Sequence, residues 1–141
     1  MDRLLTPDVG FRGSLGQSMK GRDEFWAYVS EVRGALADYK CDIVELVTEP
    51  RSAAARMVFS GTHVGDLLGR PPTGLHVQWT GAAFFHTRGG RINDVWVLGD
   101  MDGLRTQLEG DMSKEIRRPS NQTKRGSLGG ASSTCAGHAS N

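Results

Sequence analysis

From Arg22 to Leu36 apolar side chains recur at helical spacing, with Phe25, Val29, Val32 and Leu36 on one stripe that Trp26 and Tyr28 widen. The stripe predicts a helix covering a sheet, with Asp23 as its candidate N-cap. Cys41 to Thr48 reads as a mostly apolar strand with acids interleaved, and Glu49-Pro50-Arg51-Ser52 as the turn after it. Ala53 to Thr62 alternates in part, placing Ala53, Ala55, Met57 and Phe59 on one face, where the small alanines leave room for something to lie across the strand. Val64 to Gly74 is a proline- and glycine-rich loop. Leu75 to His86 and Ile92 to Gly99 are strands joined through Arg88-Gly89-Gly90-Arg91, and Asp102 to Leu108 forms a short helix. Ahead of all this, Met1 to Leu5 reads as the last turn of a helix broken by Thr6-Pro7-Asp8. Val9 to Phe11 is then a short strand and Gly13 to Gly21 a loop.

Alternate residues of a strand point to opposite faces, so the hairpin register decides which side chains meet. A three-residue loop of Arg88, Gly89 and Gly90 sets His86 opposite Ile92, Phe84 near Asp94 and Gln78 near Asp100. One face then carries His76, Gln78, Thr80, Phe84, His86, Trp96 and Asp100. The other carries Val77, Trp79, Ala83, Phe85, Val95 and Val97. A two-residue Gly-Gly turn shifts the pairing by one and separates His86 from Asp100.

Composition adds little to this picture. The 141 residues make one domain with a real core, and 17 basic against 16 acidic residues give a net charge of +1. That balance offers no global field for nucleic acid. No apolar run approaches the roughly 18 residues a membrane span needs, and no signal pattern opens the chain, so a cytoplasmic protein is expected. Cys41 and Cys135 lie in unlike contexts and make neither a disulfide framework nor a metal cluster. From Glu109 onward the chain is rich in Ser, Gly, Lys and Arg, so a domain of residues 1–109 and a polar, disordered tail of residues 110–141 are expected.

The mixed face suits a small-molecule pocket, apolar with a few placed polar groups. Asp100 held against Trp96 and Phe84 would be desolvated and so suited to take and give a proton, with His86 to orient it or to stabilise an oxyanion. Gln78, His76, His63, Phe59 and Trp26 are the further candidates for ligand contact. Each has a plainer alternative: Asp100 as an N-cap, the histidines as satisfied or exposed side chains, Trp26 as part of a packing face. His63 is either a pocket rim residue or a group that only hydrogen-bonds backbone carbonyls in the loop. The histidines and acids lack a metal-ligand spacing.

Gly61-Thr62-His63-x-Gly65, Gly69-x-Pro71-Pro72-Thr73-Gly74, Gly90-x-Ile92 and Trp96-x-x-x-Asp100-x-x-Gly103-Leu104-x-x-Gln107-Leu108 together resemble the SnoaL-like polyketide cyclase family, of the nuclear transport factor 2-like superfamily. The likeness runs from about Leu4 to Leu108. It implies an α+β fold in which a cone-shaped, curved mixed β-sheet wraps around helices and leaves a deep central pocket. It also implies a cofactor-free site and frequent homodimers through the sheet. In the family's characterised cyclases an acid late in the last strand does acid/base work in an intramolecular aldol closure. Asp100 matches that acid, and His86, fourteen residues earlier, matches a site histidine. The family normally begins with a longer helical segment before Leu4, so a truncated chain or a more open pocket is expected. The tail after Glu109 has no counterpart in the family.

The leading expectation is therefore an acid/base enzyme acting on a hydrophobic carbonyl or epoxide compound, with a non-catalytic ligand-binding or dimerisation module as the alternative. An epoxide hydrolase is a third reading, although Arg91 and Asp94 do not build its polar arrangement. The apolar face of Val77, Trp79, Phe85, Val95 and Val97 is the expected dimer surface, since no spare helix is visible to cover it.

Overall fold

The computed structural model describes residues 3–116 of the chain. Six strands, β1 (Leu5–Arg12), β2 (Ser18–Lys20), β3 (Leu36–Glu49), β4 (Ser52–His63), β5 (His76–Arg88) and β6 (Arg91–Gly99), form one sheet in the order β2-β1-β6-β5-β4-β3. β1 runs parallel to β6 and every other pair is antiparallel, so the sheet is mixed. Helix α1 (Arg22–Ala35) and helix α2 (Met101–Ile116) complete the α+β fold.

The Phe25 stripe does form a helix, but Gly21, not Asp23, sits at its N-cap, with φ of 91°. Glu24 reaches back to accept the Lys20 amide at 2.8 Å, while Asp23 stays in the first turn where its charge suits the positive helix end. Arg22 Nε donates to the Leu5 carbonyl at 3.2 Å and ties the start of α1 to β1.

The N-terminal expectation is corrected. Leu5 belongs to a strand and not to a helix, and Thr6-Pro7-Asp8 does not end it. The pairing with β6 jumps between Leu5↔Ile92 and Gly10↔Asp94, and Pro7 falls in that irregular stretch, where its missing N–H breaks no ladder bond. A short strand, β2, also interrupts the Gly/Ser-rich loop. α2 runs on past Leu108 to Ile116; the expectation for the rest of the tail, from residue 117, lies outside the described residues.

The hairpin loop is corrected as well. Arg88 pairs with Arg91, so the turn is Gly89-Gly90 alone, with φ of 59° and 74°, the doubly left-handed backbone of a type I′ turn. The pairing then shifts from Thr87↔Ile92 to His86↔Asp94, which makes Asn93 the extra residue of a bulge. The shorter turn and the bulge each shift the pairing by one residue in the same direction, so His86 lies opposite Asp94 instead of Ile92. A shift of two preserves which face each side chain is on. Phe84 therefore lies opposite Trp96 and Phe85 opposite Val95, and the two faces keep the membership expected for the longer loop.

Their directions are reversed. Val77, Ala83 and Val95 are buried, at 1%, 0% and 7% exposure, on the face that meets α1 and α2. One core cluster joins Ala35 and Leu36 to Val77, Leu104 and Leu108; a second joins Ala55, Met57, Phe59 and Ala83. The apolar face expected to form a dimer thus lines the inside of the sheet, covered by the chain's own helices. His76, Gln78, Phe84 and His86 are exposed on the other side.

Candidate functional site

Between the inner face of the sheet and α1 lies a cavity of about 380 Å³, within the ordinary range for a small-molecule site. Its walls are mostly apolar. On one side Phe11 packs against Phe25 and Tyr28, with ring centroids 5.1 and 4.9 Å apart. On the other Phe59 stacks on Trp79 at 5.3 Å, beside Phe85, Val95 and Val97. Gly81 makes that stack possible, because a Cβ there would stand 2.7 Å from the Phe59 ring and 2.8 Å from the Leu98 carbonyl oxygen.

The polar groups of the cavity are few. Tyr28 and Tyr39 line it, with Ser14, Gln17 and Cys41. Burial, and then the charge of Glu31, pushes the Tyr28 phenol upward. Burial pushes Tyr39 far higher, with smaller contributions from Cys41 and Tyr28 against an opposing one from Arg33. Both hydroxyls therefore stay neutral through the physiological range and can donate hydrogen bonds to a ligand oxygen. The Cys41 thiol is raised by burial and by Asp42, so it is not an activated nucleophile. The charged residues along the lining are Glu31 and Asp66, and none is basic. Among the described residues no group of three His, Cys, Asp or Glu gathers as metal ligands would.

Of the residues singled out in the sequence, Phe59 lines this cavity. Asp100 does not. It accepts the Gly103 amide at 2.8 Å, and its carbonyl accepts the Leu104 amide at 3.1 Å, so it is the N-cap of α2 and is exposed. His86 is exposed too, 3.7 Å from Asp94. The Asp100 amide bonds the Thr80 carbonyl, and His86 lies six residues further along β5, a separation of about 20 Å. The proposed acid and its helper are not brought together.

Phe84 and Trp96 meet edge to face at 5.8 Å on the outer side of the sheet, with the Arg12 guanidinium 5.0 Å from the indole. Gln78 is exposed and held through its backbone by Gln107, and Asp100 meets Thr80, two residues further along β5, instead of Gln78; His76 is exposed, and Trp26 is 39% exposed. His63 is fully buried. Its Nδ1 accepts the Thr73 amide at 3.2 Å and lies 2.9 Å from the Thr73 hydroxyl, pinning the loop that follows β4. It bonds the loop as one reading had it, but through an amide and a hydroxyl of Thr73 and not through backbone carbonyls.

Tyr28 and Tyr39 were not singled out as site residues, and Trp79 was given to the dimer face. The available signal was the wholly apolar face itself, since a curved sheet closes over its most apolar side.

A family model for the SnoaL-like polyketide cyclases matches residues 1–108. Among solved structures, TsrD from Streptomyces laurentii is similar at 29% identity and a TM-score of 0.68, over 76% of this chain and 78% of that one. A SnoaL-like polyketide cyclase from Agrobacterium tumefaciens is similar at 20% identity and a TM-score of 0.66, over 76% and 81%. A protein with a ketosteroid isomerase-like fold from Catenulispora acidiphila gives 15% identity and a TM-score of 0.66, over 75% and 77%. A comparison with curated protein sequences found no match. With most of its length covered by the family model, and its curved mixed sheet shared with these structures, the chain belongs to the SnoaL-like polyketide cyclase family.

Proposed function

We propose that this protein binds a small, largely apolar compound bearing a carbonyl or comparable oxygen in the cavity under α1. The cavity carries the reading: about 380 Å³ of apolar and aromatic wall with two neutral phenols among its few polar groups. The body of the ligand is desolvated against Phe11, Phe59, Trp79 and Phe85, while Tyr28 and Tyr39 supply donors that fix its oxygen. Calorimetric titration with naphthyl methyl ketone tests it. Binding is expected in the wild type and is weakened about fivefold in Tyr28→Phe/Tyr39→Phe, which loses one net hydrogen bond's worth of free energy or more. Absence of binding, or unchanged affinity in the variant, rejects the assignment.

A catalytic reading of the same cavity draws on the same phenols. A neutral donor in an apolar site stabilises the oxyanion that develops when a carbon acid loses its proton, as an aldol-type cyclisation requires. Asp100 and His86 do not serve such a ligand, because both lie outside the cavity. The homodimer is retained as a proposal on a different surface: the outer face, where Phe84 and Leu98 are about half exposed beside Trp96.

A further inference from the structure

We infer that the cavity selects its ligands by charge, taking an apolar compound that carries an ammonium group at the mouth and rejecting the matching carboxylate. The inference rests on the binding role proposed above. The lining includes two carboxylates, Glu31 on α1 and Asp66 on the loop after β4, and no Lys, Arg or His. Neither carboxylate is paired with a described cation.

The two acids belong to one structural corner. The loop is fastened to the end of α1, where the Val64 and Gly65 amides both donate to the Ala35 carbonyl, at 2.9 and 3.1 Å. Ala35 also lines the cavity, so the loop that carries Asp66 is held at the cavity's edge, one turn along from Glu31. The charge of Glu31 is felt inside, since it helps hold the Tyr28 proton in place. Arg33, on the next part of α1, opposes this at Tyr39 but comes last among the influences there, and it does not line the cavity.

A carboxylate entering this space loses its hydration and finds two like charges and no cation. An ammonium group finds both acids and no competing cation among the lining residues. Apolar contact sets the affinity, and the mouth sets the sign of charge that is accepted.

The test uses three probes with one apolar body: naphthylmethylamine, naphthylmethanol and naphthoic acid, titrated calorimetrically into the full chain at low and high salt. The amine is expected to bind about fivefold tighter than the alcohol at low salt, and the acid weaker than the alcohol by a similar factor. Salt should narrow both gaps. In Glu31→Gln/Asp66→Asn, two substitutions at exposed positions, the ranking should collapse, with amine and acid each brought to within about twofold of the alcohol's affinity for the same variant. Glu31→Lys/Asp66→Lys should invert it. Equal binding of the three probes, or a ranking that survives in the double amide variant, overturns the inference and leaves the binding role standing. Failure of all three probes to bind overturns the binding role, and the charge selection with it.

Discussion

The side chain of Gln107 on α2 brackets the backbone of Gln78 on β5, accepting its amide at 3.0 Å and donating to its carbonyl at 2.6 Å. One amide group thus extends the sheet's ladder onto a helix. With Leu104 and Leu108, each 1% exposed, it docks α2 against the sheet. Gln107→Ala should lower stability by about 1–2 kcal/mol, two net hydrogen bonds at a partly solvated site. Urea unfolding would show this as a shift in midpoint at constant slope, and an unchanged midpoint would deny the clamp.

Asp100 makes a related prediction. As the cap of α2 it needs an acceptor oxygen and not a titrating acid. Asp100→Asn should therefore leave stability close to that of the wild type, whereas Asp100→Ala should lose about 1 kcal/mol. Ligand affinity should be the same in both. A loss of binding in Asp100→Asn, with the fold intact by circular dichroism, would restore the acid to the site.

The phenols give a pH signature that needs no ligand. The whole sequence holds two tyrosines, and both line the cavity. Because each is raised in the folded protein, well below the ordinary phenol value of 10.0 both states keep their phenol protons and the stability is fully present. Above it the unfolded chain ionises first, so stability falls as pH rises towards the folded values. Phenolate absorbance should lag behind that of the urea-denatured chain across the alkaline titration. Coincident curves would mean exposed hydroxyls and an open, wet cavity.

Assembly is testable through the outer face. Phe84→Glu places a carboxylate at the centre of the Phe84, Trp96 and Leu98 surface without touching the cavity wall. If two copies pair there, sedimentation should show dimers in the wild type and monomers in the variant, with naphthyl methyl ketone still bound. A monomeric wild type at micromolar concentration would end the proposal.

Strand periodicity and the helical stripe were legible because they are local. Phe25 and Val32 do face the sheet, and Ala55, Met57 and Phe59 do share the inner side of β4. Curvature is not local. Both faces of β5 carry aromatic residues, and which one becomes concave depends on how all six strands coil together. His86 and Phe84 were for that reason read inward when they point outward. The Asp100 motif misled in another way. Gly103 leaves space where a Cβ would collide with the Asp100 carboxylate, Leu104 and Leu108 fill the core, and Gln107 clamps β5. From Asp100 to Leu108 the positions of that motif are accounted for by docking a helix, which a string of letters does not distinguish from chemistry, while Trp96 packs with Phe84 and Arg12 on the outer face.

The bulge at Asn93 acts as a polarity selector for the cavity. With it, Val95 and Val97 face inward opposite Phe85 and Ala83, and Asp94 stays outside with His86. Were Asn93 paired with His86 in a regular ladder, with no bulge, the Arg88↔Arg91 register would set Phe85 opposite Asp94 and Ala83 opposite Trp96. A carboxylate and an indole would then replace two valines in the inner wall. Deleting Asn93 itself would remove the bulge and still leave Asp94 opposite His86 and Val95 opposite Phe85, so the oily wall depends on Asn93 being looped out or absent, not paired. A chain deleted at Asn93 should therefore bind naphthylmethanol about as the full chain does, and a marked loss would show that the bulge does more than set the register. The register of one hairpin, more than any one side chain, governs what kind of chemistry this scaffold can host.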